Sequence, residues 1–268
     1  MIINIRDYVA AQKEKIKNRI IELEKPAPSL LIIQVGDNPA SNSYIKGKMK
    51  DCEEVGIECR LEKHDEDWYY DKDNLKELQE IIWDYDGVIV QLPIESEIIK
   101  GEIYSMIAPN QDVDGLIFDV YKPCTPLGIM RLIQNHLKID LKGKVVTVLG
   151  KGELVGKPLI SMLMEEGATV ISCNSKTKDI NNWTKQADIV IAAAGVSNLV
   201  TKWGIRGETV VIDAGINFID GKICGDVDKQ LYNNILVNVT PVPGGVGLLT
   251  RLSLLENVEE AAQWRQLD

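Results

Sequence analysis

Histidine is almost missing: 268 residues hold only His64 and His136, in unrelated contexts. That scarcity argues against a zinc site and against a serine–histidine–aspartate triad. Cysteine is sparse too, with Cys52, Cys59, Cys124, Cys173 and Cys224 odd in number and without a Cys-x-x-Cys pair. Such spacing offers no metal or disulfide framework and suits thiols in a reducing compartment. Basic excess is absent as well. A formal net charge of −10 excludes nucleic acid or an anionic membrane as the main partner. No apolar run approaches the roughly 20 residues that span a membrane. The N-terminal "MIINIRDYVAAQKEK" has no basic segment ahead of an apolar core. A cytoplasmic protein is expected.

What the chain does have is alternation. Helical periodicity over 7–24 ends before Pro26, and "LLIIQVG" (30–36) reads as a buried strand stopped by Gly36 and Asp37. Asp37 or Asn38 as cap, Pro39 in the first turn and Gly56 beyond the end predict a helix over 39–55. Strand 57–64, helix 74–85, strand 87–93 and helix 96–107 follow, the rhythm of βαβ units on a mostly parallel sheet. The stretch 109–126, rich in proline, aspartate and glycine, interrupts it and reads as the passage between domains. A helix at 127–138 opens a second series, with strands at 144–150, 168–173, 188–195, 209–215 and 235–239 and a last helix over 249–264. The fold class is α/β, with two αβ domains flanking a cleft and the last helix returning to the first. The expected boundaries are 1–117 plus 249–268 for one domain and 118–248 for a Rossmann-type dinucleotide-binding domain.

After the strand "KVVTVLG" come Gly150, Gly152 and Gly156, with Pro158 near the first helical turn. Glycines between strand and helix let backbone N–H groups approach a pyrophosphate at the positive helix end. The spacing G-x-G-x-x-x-G is one residue longer than the common fingerprint, so position in the αβ series carries the reading. Roughly 20 residues on, NAD binders place a carboxylate for the ribose hydroxyl. Here that region reads Ser172-Cys173-Asn174-Ser175-Lys176-Thr177. Ser175 and Lys176, with Lys151, suit a 2′-phosphate, which favours NADP and leaves NAD open.

In "SYIKGKMK" (43–50) three lysines fall within five residues. At about 100° per residue, Tyr44 and Lys48 share one helix face while Lys46 and Lys50 project to the other. The bland reading of such a run is a solvated surface, and it fits Lys46 and Lys50. Four stretches occur in order: "YIKGK" on a helix, "VIVQLPI" at a strand end, "QDVDG" at the domain junction and "TPVPGGVG" before the last helix. With "VGDNPAS", "PCTPLG", "VIDAGIN" and "GDV", this ordered set resembles the methylenetetrahydrofolate dehydrogenase/cyclohydrolase family over nearly the whole chain.

The resemblance implies NADP-linked oxidation of 5,10-methylenetetrahydrofolate to the methenyl form, then hydrolysis to 10-formyltetrahydrofolate, usually by a homodimer. It places the catalytic lysine at Lys48, with Tyr44 to stack on the flat ligand and Gln91 to orient Lys48 or water. Asp114 would accept hydrogen bonds from the pterin's amino-pyrimidine edge. Leu92, Pro243, Gly244 and Gly245 would approach the folate. Gly150, Lys151, Gly152, Val155, Gly156, Ser175, Gly195 and Ile216 would approach the dinucleotide. No metal is expected. Asp213 reads equally well as a strand-end cap or a functional group. Hydride loss leaves a cationic methenyl bridge, and a lysine partly desolvated beside such a cation is pushed toward the neutral form that can take a proton from water.

Three stretches depart from the family pattern. The usual Gly-Arg-Ser is Gly150-Lys151-Gly152, which keeps the charge but loses the planar fork and the hydroxyl. "QLPLP" has become "QLPIE", and the Pro-Met after "GGVG" is Leu248-Leu249. These changes keep two alternatives in view: a dehydrogenase without hydrolase activity, and a silent folate or nucleotide binder.

Overall fold

The computed structural model describes residues 1–23, 26–118 and 120–265. It divides into two compact units, Met1–Ala10 with Thr125–Thr250, and Ala11–Cys124 with the chain from Arg251 onward. In chain order the regular elements are α1 (Ile5–Glu22), β1 (Ser29–Val35), α2 (Pro39–Val55), β2 (Glu58–His64), α3 (Lys72–Trp83), β3 (Gly87–Val90) and α4 (Glu97–Met106). Then come α5 (Cys124–Arg131), β4 (Val145–Leu149), α6 (Gly156–Glu165), β5 (Thr169–Cys173), α7 (Ile180–Thr184), β6 (Ile189–Ala192) and β7 (Val210–Asp213). A hairpin of β8 (Asn217–Ile219) and β9 (Lys222–Cys224), β10 (Asn238–Val239) and α8 (Val246–Trp264) complete the chain.

In the unit built around Ala11–Cys124, three parallel strands lie in the order β2-β1-β3. Leu31, Ile33 and Val35 of β1 pack with Val88 and Val90 of β3, Leu78 and Ile82 of α3, and Ile99 and Ile103 of α4. The period of two turns Gln34 to the opposite face, where its amide donates to Asn42 of α2 at 2.8 Å. Helix α2 starts where its capping signals predict. Asn38 Oδ1 accepts from the N–H groups of Ala40 and Ser41, Pro39 fills the first position, and Gly56 stops the helix at φ +88°. Asp37 does not cap; its carboxylate takes Asn42 and Lys63 instead.

The second unit carries five parallel strands in the order β10-β7-β6-β4-β5. Numbered from β4 within this sheet, the order is 2-1-3-4-5, a doubly wound arrangement whose chain reverses direction between β4 and β6. Ligands in such sheets bind beyond the carboxyl ends of the two strands at that reversal, here Leu149-Gly150 and Ala192-Ala193. The first ten residues group with this unit, whereas the sequence reading had placed them with 11–117. Ile2 forms a bridge with Val239, and the Ile3 N–H donates to the Val239 carbonyl at 2.9 Å. The segment read as a strand over 235–239 shrinks to Asn238–Val239, because Ile235 and Leu236 face solvent.

Candidate active site

Helix α2 presents Tyr44 and Lys48 one turn apart, and solvent exposure sorts the three lysines as the helix geometry requires. Lys46 and Lys50 are exposed, while Lys48 is only 5% exposed. Its Nζ donates to Gln91 Oε1 at 3.1 Å and stands 5.0 Å from the centre of the Tyr44 ring. Gln91 follows β3 and continues its pairing, with its N–H on the Ile33 carbonyl at 2.8 Å. The Gln91 side-chain Nε2 donates to the Leu92 carbonyl at 2.9 Å, which turns Oε1 toward Lys48. Ser41 Oγ reaches the same carbonyl at 3.3 Å, tying the start of α2 to the turn after β3.

The acid nearest in sequence to Lys48 is already engaged. Asp51, buried, pairs with Lys13 at 2.6 Å and Arg251 at 3.0 Å. This also accounts for Gly47 inside a helix, where glycine costs about 1 kcal/mol relative to alanine. A Cβ at Gly47 would fall on the Arg251 guanidinium. One turn beyond Lys48, Cys52 hydrogen-bonds to Cys59 of β2. That bond is the main cause holding the Cys59 thiol below its ordinary range and the Cys52 thiol above it.

Asp114 is half-buried on the turn that follows Val113. Its charge bears on Asp112 and on Tyr104, whose hydroxyl is pushed upward first by burial and then by Asp114. Asp112, 3% exposed, accepts from the N–H groups of Leu116, Ile117 and Phe118. Burial pushes its carboxyl above the usual range, and those N–H groups pull it back. The altered "QLPIE" leaves Lys48 and Gln91 alone, since Ile94 enters the core and Glu95 faces solvent. Pro243, Gly244 and Gly245 belong to the other unit, with Gly244 at φ +97°.

In that other unit a cavity of about 510 Å³ opens at the carboxyl ends of β4, β5 and β6. Gly150, Lys151, Gly152 and Ser175 line it, together with Asn174, Lys176, Ala193 and Ala194. Gly195 lies between two lining residues, Ala194 and Val196; Val155 and Gly156 begin α6, and Ile216, exposed, is not part of the lining. Gly150 sits at φ +103°, and a Cβ there would fall on the Ala193 carbonyl. A Cβ on Gly156 would fall on the Gly150 carbonyl, whereas one on Gly152 meets nothing within 4 Å. Two of the three glycines are therefore demanded by close backbone approach and the third is not. The turn after β5 is shaped by Asn174, whose Oδ1 accepts the Lys176 N–H at 2.8 Å. It brings Ser175 and Lys176 to the rim. A strand, a glycine turn and a helix start, with an open cavity and two lysines, fit a dinucleotide. Among the described residues no cluster of three or more histidine, cysteine, aspartate or glutamate side chains is placed to hold a metal. No helix among them is long and apolar enough to cross a membrane.

The model of the tetrahydrofolate dehydrogenase/cyclohydrolase catalytic domain matches residues 3–114, and that of the NAD(P)-binding domain matches residues 123–266. The chain belongs to this family. The bifunctional protein FolD of an Exiguobacterium species is 37% identical, over 98% of this chain and 98% of its own. The bifunctional enzyme FolD-methylenetetrahydrofolate dehydrogenase/cyclohydrolase of Campylobacter jejuni matches at a TM-score of 0.89 and 36% identity, over 99% of each chain. The Trypanosoma brucei methylenetetrahydrofolate dehydrogenase-cyclohydrolase, solved with NADP and an inhibitor, matches at a TM-score of 0.87 and 27% identity, over 100% of this chain and 98% of that one. In this tetrahydrofolate dehydrogenase/cyclohydrolase, the three-stranded unit corresponds to the catalytic domain and the five-stranded unit to the NAD(P)-binding domain.

Proposed function

We propose that the chain oxidises 5,10-methylenetetrahydrofolate to the methenyl form with NADP and hydrolyses the product to 10-formyltetrahydrofolate. The observation that carries the reading is the buried Lys48, oriented by a neutral amide and stacked toward Tyr44. The dinucleotide supplies the hydride acceptor. Gly150 and Gly152 leave backbone room for its pyrophosphate, and Lys151, Ser175 and Lys176 supply charge and a hydroxyl for a 2′-phosphate. The presence of NADP in the Trypanosoma brucei relative supports this choice.

Hydrolysis falls to the three-stranded unit. Gln91 Oε1 is aimed by the bond from its own Nε2 to Leu92, so Lys48 can keep one N–H on Gln91 while Nζ turns toward the water. As water adds to the methenyl carbon, Lys48 Nζ takes the water's proton. It returns a proton to the departing ring nitrogen when the carbon–nitrogen bond breaks. Tyr44 offers the flat face for the ligand, and Asp114 the carboxylate for the pterin's amino edge. We take the homodimer in the cytoplasm, usual in the family, as the working form.

A continuous absorbance assay for methenyl formation, run with NADP and then NAD, tests the proposal. Faster turnover with NADP, followed by loss of the methenyl absorbance above its uncatalysed rate, is expected. Absence of turnover with both dinucleotides overturns the reading, and accumulation of the methenyl form without hydrolysis reduces it to the dehydrogenase alone.

A further inference from the structure

Two backbone turns meet in the wall of the cavity, those after β4 and β6, and the N–H groups of the second are already taken. The Gly150–Gly152 turn follows β4. The Ala193–Val196 turn follows β6, and the two meet backbone to backbone at Gly150 and Ala193. In the second turn three successive N–H groups converge on one point, with Gly195 at φ +65°. Such a concave run of N–H groups is an anion-binding nest. Here it is filled from inside the protein. Asp226 accepts the N–H of Ala194 at 2.8 Å, of Gly195 at 3.0 Å and of Val196 at 2.8 Å, and its Oδ1 also takes Asn217 Nδ2 at 2.9 Å. The residue is fully buried. It is itself placed by a second carboxylate, because Asp213 at the end of β7 accepts the N–H groups of Asp226 and Val227.

The three N–H groups of the Ala193–Val196 turn are therefore spoken for, although Ala193, Ala194 and Val196 line the cavity. Of the two turns, the glycine turn with the start of α6 is then the one that keeps backbone N–H groups for a pyrophosphate. We propose that Asp226 is a positioning residue for the dinucleotide. It occupies the nest after β6, fixes that wall of the cavity and confines the diphosphate to the turn after β4. This rests on the reading of the cavity as the NADP site and adds what sets the ligand's register within it.

The test measures NADP binding to the whole protein by calorimetry, alongside methenyl hydrolysis, which needs no dinucleotide. An asparagine at 226 cannot accept three N–H groups without turning its own amide hydrogens against one of them. Asp226→Asn is expected to raise the NADP dissociation constant roughly tenfold or more, with hydrolysis and its folate KM unchanged. Asn217→Ala, which removes one exposed-side donor to Asp226, is expected to shift NADP binding in the same direction by a smaller factor. An unchanged NADP dissociation constant in a folded Asp226→Asn overturns the proposal. Parallel loss of hydrolysis and binding also overturns it, since that is the signature of a merely structural residue. If Asp226→Asn does not fold, Asn217→Ala decides, and unchanged NADP binding there is fatal. Failure of the unsubstituted protein to bind NADP at all would instead refute the reading of the cavity.

Discussion

Both units fix a turn beyond their parallel sheet in the same way, with a buried aspartate accepting three consecutive backbone N–H groups. They differ in reach. Asp112 takes Leu116, Ile117 and Phe118, four to six residues ahead, so its turn folds on itself. Asp226 takes Ala194, Gly195 and Val196, some thirty residues back, and depends on Asp213 and Asn217 to be in place. On the proposed reading, the three-stranded unit offers side chains to its ligand: an amine, an amide, a ring and a carboxylate. On the same reading, the five-stranded unit offers its pyrophosphate mainly backbone, in a wall whose second turn is held by buried carboxylates. Substitutions should therefore act on the folate and its chemistry in the first unit and on dinucleotide register in the second.

The sharpest break of this division is expected at Lys48. Lys48→Met removes the amine proposed to move the proton and should lower methenyl hydrolysis by about 10²- to 10⁴-fold. Circular dichroism and the NADP dissociation constant should stay as they are. Hydrolysis at the original rate would show that the amine is not the base.

Asp213 carries the next largest effect. It is 1% exposed, and burial pushes its carboxyl up to about 6, against the pull of the Asp226, Val227 and Gly215 N–H groups. The folded protein thus binds this proton more tightly than the unfolded chain does, whose aspartates titrate near 3.9. The stability contributed by the protonated group is present below about pH 4 and is lost as pH rises through about 6. A shift of about two pKa units corresponds to about 3 kcal/mol. Asp37 and Glu54, whose carboxyls are held low by Lys63 and Lys13, act in the opposite sense, so the comparison must be differential. Urea unfolding of the protein and of Asp213→Asn should show the variant gaining about 3 kcal/mol relative to its parent between pH 4 and pH 7. A constant difference would mean that the three N–H groups fully offset burial.

Asp112→Asn should cost about 1–3 kcal/mol through the donor left facing an amide hydrogen. It should raise the folate KM, through the turn that carries Asp114, without changing NADP binding. Movement of NADP affinity in this variant would erase the distinction between the two units.

How much of this was legible beforehand follows from the range of each interaction. The bounds of α2 were readable because Asn38, Pro39 and Gly56 act within one turn of the helix ends. The partition of Lys48 from Lys46 and Lys50 followed from helical angle, and the family resemblance picked the Tyr44–Lys48 face as the inner one. The β8–β9 hairpin went unread although its signal is local. Asp220-Gly221, both at positive φ, separates "NFI" from "KIC", a two-residue turn of the kind Asp-Gly favours. The roles of Asp226 and Arg251 were out of reach. Their partners lie some 30 and 200 residues away, and no periodicity links them. "GDV" was visible as a motif, but only the fold shows what its aspartate holds.

The smallest expected effect is at Gly152, and it asks whether the backbone character of the five-stranded unit is obligatory. Gly150 and Gly156 cannot carry a side chain, because backbone carbonyls occupy the space a Cβ would need. Gly152 can, since nothing lies within 4 Å of that position and its backbone is not in the left-handed region. Gly152→Ser places a hydroxyl on the cavity wall beside Lys151, where the family pattern carries one. One added hydrogen bond to an anionic ligand is worth about 1.5 kcal/mol, or roughly tenfold in affinity. Calorimetry should show tighter NADP binding with little change for NAD, and stability should hold or rise slightly as the chain loses a flexible glycine. Equal gains for both dinucleotides would place the new hydroxyl on the shared pyrophosphate. Weaker binding of both would mean that the backbone at Gly152, like that at Gly150, must lie bare against the ligand.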